Sequence, residues 1–187
     1  ENLSYKDLAL TISAILKNEY GSHNFDPFMK VLHAELGIKE NMINEYGEYN
    51  DVAKKLQETH EFHIYGDGAG KQNLLSKIKT NDSQNIFLHQ PINREKLIDI
   101  YKNSDILYFQ LADLKAFLRV IPSKLFEYSI YGKPIIAVVE GYSKSFVESK
   151  LDGCYVAEPN NVESIVDTIN KINLDRLYDR KDFINKY

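Results

Sequence analysis

From Pro122 to Val139 the chain reads PSKLFEYSIYGKPIIAVV: a short helical pattern, a stop and an unbroken apolar run. No other stretch constrains the fold as much. Pro122 suits a first helical turn, where its missing N–H costs nothing, and Gly132 followed by Pro134 ends the helix. Within PIIAVV (134–139) no residue is polar, so a strand there needs cover on both faces. A doubly covered strand entered from a helix belongs to a parallel sheet with helices above and below it.

The rest of the chain repeats that alternation. LALTISAI (8–15) reads as a first strand, and DPFMKVLHAEL (26–36) as a helix with Asp26 as N-cap and Gly37 as stop. Helices follow at 50–60 (capped by Asn50 or Asp51), 70–82, 93–104, 143–150 and 161–172. Strands fall at 61–65, 85–89, 105–109, 134–139 and 154–157, and a loop over 110–121 leads to the helix at Pro122. NIFLH (85–89), like PIIAVV, reads as buried on both faces. The charged tail 174–187 reads as helical. The expected fold is a single Rossmann-like α/β domain over 1–187, with a parallel sheet flanked by helices on both faces. Ligands of such sheets sit beyond the carboxyl ends of the strands, so the loops after Tyr65, His89 and Phe109 and the one before Pro122 form one rim.

Composition narrows the function. A net charge of −4 with no long basic run argues against nucleic acid as a partner. Cys154 is the only cysteine, which excludes an internal disulfide and a Cys-rich zinc site and fits a reducing compartment. There is no Asp-x-Asp pair for a hard cation. No apolar run is long enough to span a bilayer.

The helix at Pro122 carries the candidate chemistry. Ser123 and Glu127 are four apart and share a face, while Leu125, Tyr128 and Ser129 occupy another that can pack on a sheet. A helix start offers backbone N–H groups to a phosphate, and Lys124 adds the cation that a diphosphate calls for. Glu127, one turn along and flanked by Phe126 and Tyr128, needs partners, and two ribose hydroxyls would supply them. The competing use is a surface ion pair with Lys124, worth a few tenths of a kcal/mol in its Lys-before-Glu order. In HIYGDGAGK (63–71), neither a G-x-G-x-x-G fingerprint nor a P-loop fits, because Tyr65, Lys71 and Gln72 stand where those motifs need other residues. What remains is a tight turn in which Gly66 and Gly68 either admit a ligand to the backbone or serve the turn alone. Read from the residues alone, His89 and Pro91 belong to a plain strand end and loop.

PSKLFEYSIYGKPIIA, with HIYGDGAGK, NIFLHQPINREKLIDIYKNSDILYF (85–109) and LDGCYVAEPNNVESIVDTI (151–169), resembles the donor domain of GT-B glycosyltransferases, in order and spacing, over roughly residues 60 to 172. The resemblance is to the retaining family four, the glycosyl transferases group 1. It implies a nucleotide-diphosphate sugar as donor, transfer to a sugar or lipid-linked sugar hydroxyl with retention, and a role in bacterial envelope or capsular polysaccharide synthesis. It also implies no metal or other cofactor, with which the lack of an Asp-x-Asp pair agrees. It places Pro122, Ser123 and Lys124 against the donor phosphates, Glu127 on the ribose, Gly66 and Gly68 under the nucleotide, and the His89–Pro91 loop at the base. It also implies an N-terminal acceptor domain missing from this chain, so that catalytic residues stay unassigned and the isolated domain is inactive, with the tail 174–187 loosely held or packed on a neighbouring molecule. A cytoplasmic protein is implied, with peripheral association at the inner face of the membrane left to the missing domain.

Two places depart from the pattern. In the first-strand loop the family's Lys-Gly is replaced by KNEYGSHNFDP (17–27), with Lys17 and His23 as loose substitutes. Many members carry a first glutamate eight residues before the second, and Arg119 stands there. Arg119 is therefore read as a phosphate cation, and the sugar half of the site as altered. Two other readings stay open: a non-catalytic nucleotide-sugar-binding subunit, which the lost glutamate favours, and a nucleotide-sugar 2-epimerase-like enzyme, for which loop 110–121 offers Asp113 but no histidine.

Overall fold

In a computed structural model, residues 47–65, 71–111 and 115–187 are described. The strand expected at 8–15, Lys17 and His23, the helix at 26–36, and Gly66, Gly68 and Asp113 lie outside them, as does part of the single domain expected over 1–187. The elements run α1 (Gly47–Lys55), β1 (Phe62–Tyr65), α2 (Lys71–Asn81), β2 (Ile86–His89), α3 (Arg94–Asn103), β3 (Leu107–Gln110), a 3-10 turn (Lys115–Arg119), α4 (Ser123–Ser129), β4 (Ile135–Val138), α5 (Gly141–Lys150), β5 (Cys154–Ala157), α6 (Val162–Asn170) and α7 (Lys181–Lys186).

Every strand pairing among the described residues is parallel. β1 pairs with β2 from Phe62↔Ile86 to Tyr65↔His89. A second sheet has the order β3-β4-β5, with Leu107 opposite Ile135 and Ile135 opposite Cys154. β4 lies at its centre and is buried throughout, as the sequence requires. Its side chains alternate between two cores. Ile135, Ala137 and Val139 pack with Leu107, Phe109, Leu125, Phe146, Val147 and Phe183. Ile136 and Val138 pack with Val52, Leu56, Ala157, Ile165 and Ile169. Helices therefore cover both faces, α3, α4, α5 and α7 on one and α1 and α6 on the other. This is the expected Rossmann-like α/β architecture.

Three expectations are corrected. β2 is not buried on both faces: Ile86 is buried, but Phe87 is 38% exposed. The second face of the β1–β2 pair carries His63, Tyr65, Phe87 and His89, whose rings stack on one another. Asn50 is not a cap but lies inside α1, fully buried, with its Oδ1 accepting from Ser83 Oγ at 2.8 Å. Asn85 Nδ2 donates to the carbonyls of Ala53 and His60, so two buried amides tie α1 to the start of β2. A polar side chain buried with a partner reads in sequence like a surface cap.

The third correction concerns the tail. Only 181–186 is helical, and the tail is not loosely held, since Tyr178, Arg180 and Phe183 are buried. Arg180 donates from Nε to the Asp152 carbonyl at 2.7 Å and from Nη2 to those of Lys133 and Gly153 at 2.9 and 3.0 Å. Gly153 has φ +69, and a Cβ there would run into the Tyr178 ring, so the glycine makes room for the tail.

Candidate functional site

α4 begins one residue later than the sequence suggests. Pro122 holds the N-cap position in extended geometry and offers no side-chain cap. Ser123 becomes the first helical residue and stays exposed, so it is not a capping serine. Leu125 and Ser129 are buried on the sheet side as expected, and Ser129 Oγ donates to the Phe126 carbonyl at 2.7 Å. That anchoring turns Lys124 and Glu127 away from the core but leaves both half covered, with side chains 44% and 26% exposed.

Those two charges meet. Lys124 Nζ lies 2.7 Å from Glu127 Oε2, so the ion pair weighed against a ligand role does form. Glu127 Oε1 makes no hydrogen bond among the described residues. Lys124 has a second partner that the sequence did not suggest: its Nζ donates to Tyr101 Oη on α3 at 2.9 Å. The ammonium also sits 5.5 and 5.8 Å from the ring centroids of Tyr101 and Tyr128, within reach of cation–π attraction. Tyr101 is buried and packs edge-to-face on Tyr128, with centroids 5.1 Å apart.

The titration of these groups follows from that packing. Burial is the largest single influence on Lys124 and pulls its pKa down, but the hydrogen bonds to Glu127 and Tyr101 outweigh it and the ammonium titrates above its ordinary value. Burial, helped by the nearby Tyr101 and Glu127, pushes the Tyr128 phenol well up. The cluster thus presents a cation beside the neutral Tyr128 phenol.

Arg119 ends the 3-10 turn before α4 and is exposed, with no ion pair among the described residues. The turn is seated on α5. Ser143, fully buried, donates its hydroxyl to the Val120 carbonyl, and a Cβ on Gly141 would meet the Leu118 backbone. The position of this turn is therefore set from the N-terminus of α5.

Among the described residues, His89 and Pro91 do not join the cluster. The His89 ring stacks on Tyr65 at 4.2 Å and shares a 3.0 Å hydrogen bond with His63, whose other nitrogen lies 3.2 Å from Glu61. His89 is thus part of the stacked β1–β2 surface. Pro91 lies exposed in the following loop. A cavity of about 310 Å³ opens between β1 and β3, lined among the described residues by His63, Tyr65, Tyr101, Tyr108, Lys124 and Tyr128. Among the described residues it touches the expected set only at Lys124, so the cavity alone does not define the site.

Tyr101 was missed, although one signal was available. A tyrosine on the buried stripe of an amphipathic helix must find a partner for its hydroxyl, and Lys124 is that partner. Among the described residues no group of three or more His, Cys, Asp or Glu side chains could hold a metal ion. No described helix is long and apolar enough to cross a membrane. The family model described as glycosyl transferases group 1 matches residues 47–187. No curated protein matches the chain significantly.

Proposed function

The chain belongs to the group 1 glycosyl transferases, and from that premise we propose that the Lys124–Glu127 end of α4 binds a nucleotide-diphosphate sugar for retaining transfer to a hydroxyl acceptor. The observation that carries the reading is the half-covered ion pair. Among the described residues Lys124 uses two of its three N–H donors, on Glu127 and Tyr101, and Glu127 Oε1 has no hydrogen bond. A solvated surface pair has no need of a second element to hold it. Here a buried phenol from α3 fixes the cation, as recognition of a charged ligand requires.

In this reading Lys124 meets the diphosphate and Glu127 the ribose hydroxyls. Exposed Arg119 adds charge for the leaving diphosphate, the main charge that develops in the transition state. The Ser123 backbone N–H completes the phosphate contact, with Pro122 beside it setting the helix start, and the turn at Gly66 and Gly68 and the loop at His89 and Pro91 approach the nucleotide. Neutralisation of the phosphates is assigned to these cations, with no metal or other cofactor. A place in bacterial envelope or capsular polysaccharide synthesis, at the cytoplasmic face of a membrane and with a sugar or lipid-linked sugar acceptor, is part of the proposal. A second reading, a nucleotide-sugar-binding subunit without turnover, is favoured by Arg119 standing where the family has a glutamate.

Calorimetry with UDP, GDP and ADP tests the site. Two charge-assisted hydrogen bonds are worth roughly 2–4 kcal/mol together, so Glu127→Gln should lower the affinity of the preferred diphosphate about ten- to a hundredfold. Lys124→Ala should cost the diphosphate far more than its nucleoside. Wild-type affinity in folded Glu127→Gln removes the residue from the site. Sugar transfer or donor hydrolysis by the full-length protein separates the enzyme from the subunit.

A further inference from the structure

We propose that Tyr101 is a positioning residue for Lys124, its hydroxyl holding the ammonium in place so that one N–H remains for an anionic ligand. The inference rests on the reading of Lys124 as the cation for a diphosphate.

Glu127 alone could not fix this lysine. The two lie on the same short helix at i and i+3, the lysine comes first, and pairs of this kind are weak when water reaches them. A lysine side chain with four rotatable bonds would sample many positions around such a partner. The Tyr101 contact differs because it comes from another element and its donor–acceptor distance is 2.9 Å. Tyr101 itself has little room to move. It is only 6% exposed, and its ring is wedged edge-to-face against Tyr128 and Tyr131, at 5.1 and 5.4 Å. A phenylalanine would fill the same space, and burying the extra hydroxyl costs free energy unless it finds a partner. The partner it finds is the site cation.

The arrangement also assigns Tyr101 a task during binding. If Glu127 turns to a ribose, Lys124 loses its carboxylate at the moment the diphosphate arrives. The Tyr101 hydroxyl is then the contact that keeps the ammonium from swinging into solvent.

Tyr101→Phe keeps the ring and removes only the hydroxyl that accepts from Lys124. In calorimetric titrations with UDP, GDP and ADP and the matching nucleosides, it should weaken the preferred diphosphate about three- to tenfold and leave the nucleoside unchanged. In a Lys124→Ala background it should add nothing, because Tyr101 acts through Lys124. The alkaline limit of diphosphate binding should move to lower pH, because a hydrogen bond that raises the Lys124 pKa has gone. Unchanged diphosphate affinity in Tyr101→Phe, equal loss for nucleoside and diphosphate, or further loss in the Lys124→Ala background overturns the inference and leaves the site reading standing. If Lys124→Ala itself keeps the preference for diphosphate over nucleoside, the site reading falls and the role of Tyr101 with it.

Discussion

Arg180→Ala should release the C-terminal tail and cost far more than any neighbouring charge. The guanidinium makes three hydrogen bonds to backbone carbonyls, at 2.7, 2.9 and 3.0 Å, from a residue only 4% exposed. Burial holds its pKa below the usual arginine value, with Cys154, Asp152 and Tyr178 acting in the opposite direction. Hydrogen bonds from a charged donor are worth about 1.5–3 kcal/mol each, and burying the ion offsets a good part of that. Nη1, which has no partner among the described residues, lowers the gain further. Truncation also strips the donor from three carbonyls and leaves a void beside Tyr178, so the expected loss is about 3–5 kcal/mol. Arg176 is the internal control. It pairs with Asp152 at 2.8 Å, but both side chains are more than half exposed, and Arg176→Ala should cost less than about 1 kcal/mol. Urea unfolding supplies both numbers, and hydrogen exchange over 174–186 shows whether the tail opens locally. An Arg180→Ala cost within about 1 kcal/mol of the Arg176→Ala cost would refute the buried clamp.

Gly153→Ala should destabilise by about 2 kcal/mol or more, because φ +69 and the Tyr178 ring both oppose a Cβ; in a double-mutant cycle its cost should be smaller in the Tyr178→Ala background, read in the same urea assay. Stability should also fall in alkali. Burial, with the Tyr155 hydrogen bond, pushes the Tyr178 phenol up to about 12, and burial pushes the Cys154 thiol up to about 12. Groups whose folded pKa is raised stabilise fully below their unfolded pKa, so the urea midpoint should hold up to pH ~9 and drop as pH climbs toward ~12. A flat midpoint across that window would contradict the packing around both groups.

What could be read from the sequence was local. PIIAVV announced a doubly covered strand because no residue in it can face water, and β4 is buried throughout. Gly132 and Pro134 marked the helix end, and the spacing of Leu125 and Ser129 marked the face that packs inward. The misreadings concern partners distant in sequence. Asn50 resembles a cap until Ser83 is found beside it. The tail looks charged and loose because the carbonyls that hold Arg180 belong to residues 133, 152 and 153. Phe87 is as apolar as its neighbours, and only the ring stack with His63 shows why it stays near the surface. The ion pair of Lys124 and Glu127 was visible as a spacing, whereas its third member, Tyr101, lies 23 residues away on another helix.

The central claim is that a nucleoside diphosphate binds at the start of α4. Backbone amide NMR of the chain, titrated in turn with UDP, GDP and ADP, tests it directly. The account predicts saturable shifts for one of them, concentrated on residues 119–128 and at Tyr101, and their loss in Lys124→Ala and Glu127→Gln. Shifts confined to the cavity walls at His63, Tyr65 and Tyr108, or no saturable shift with any of the three, would contradict it.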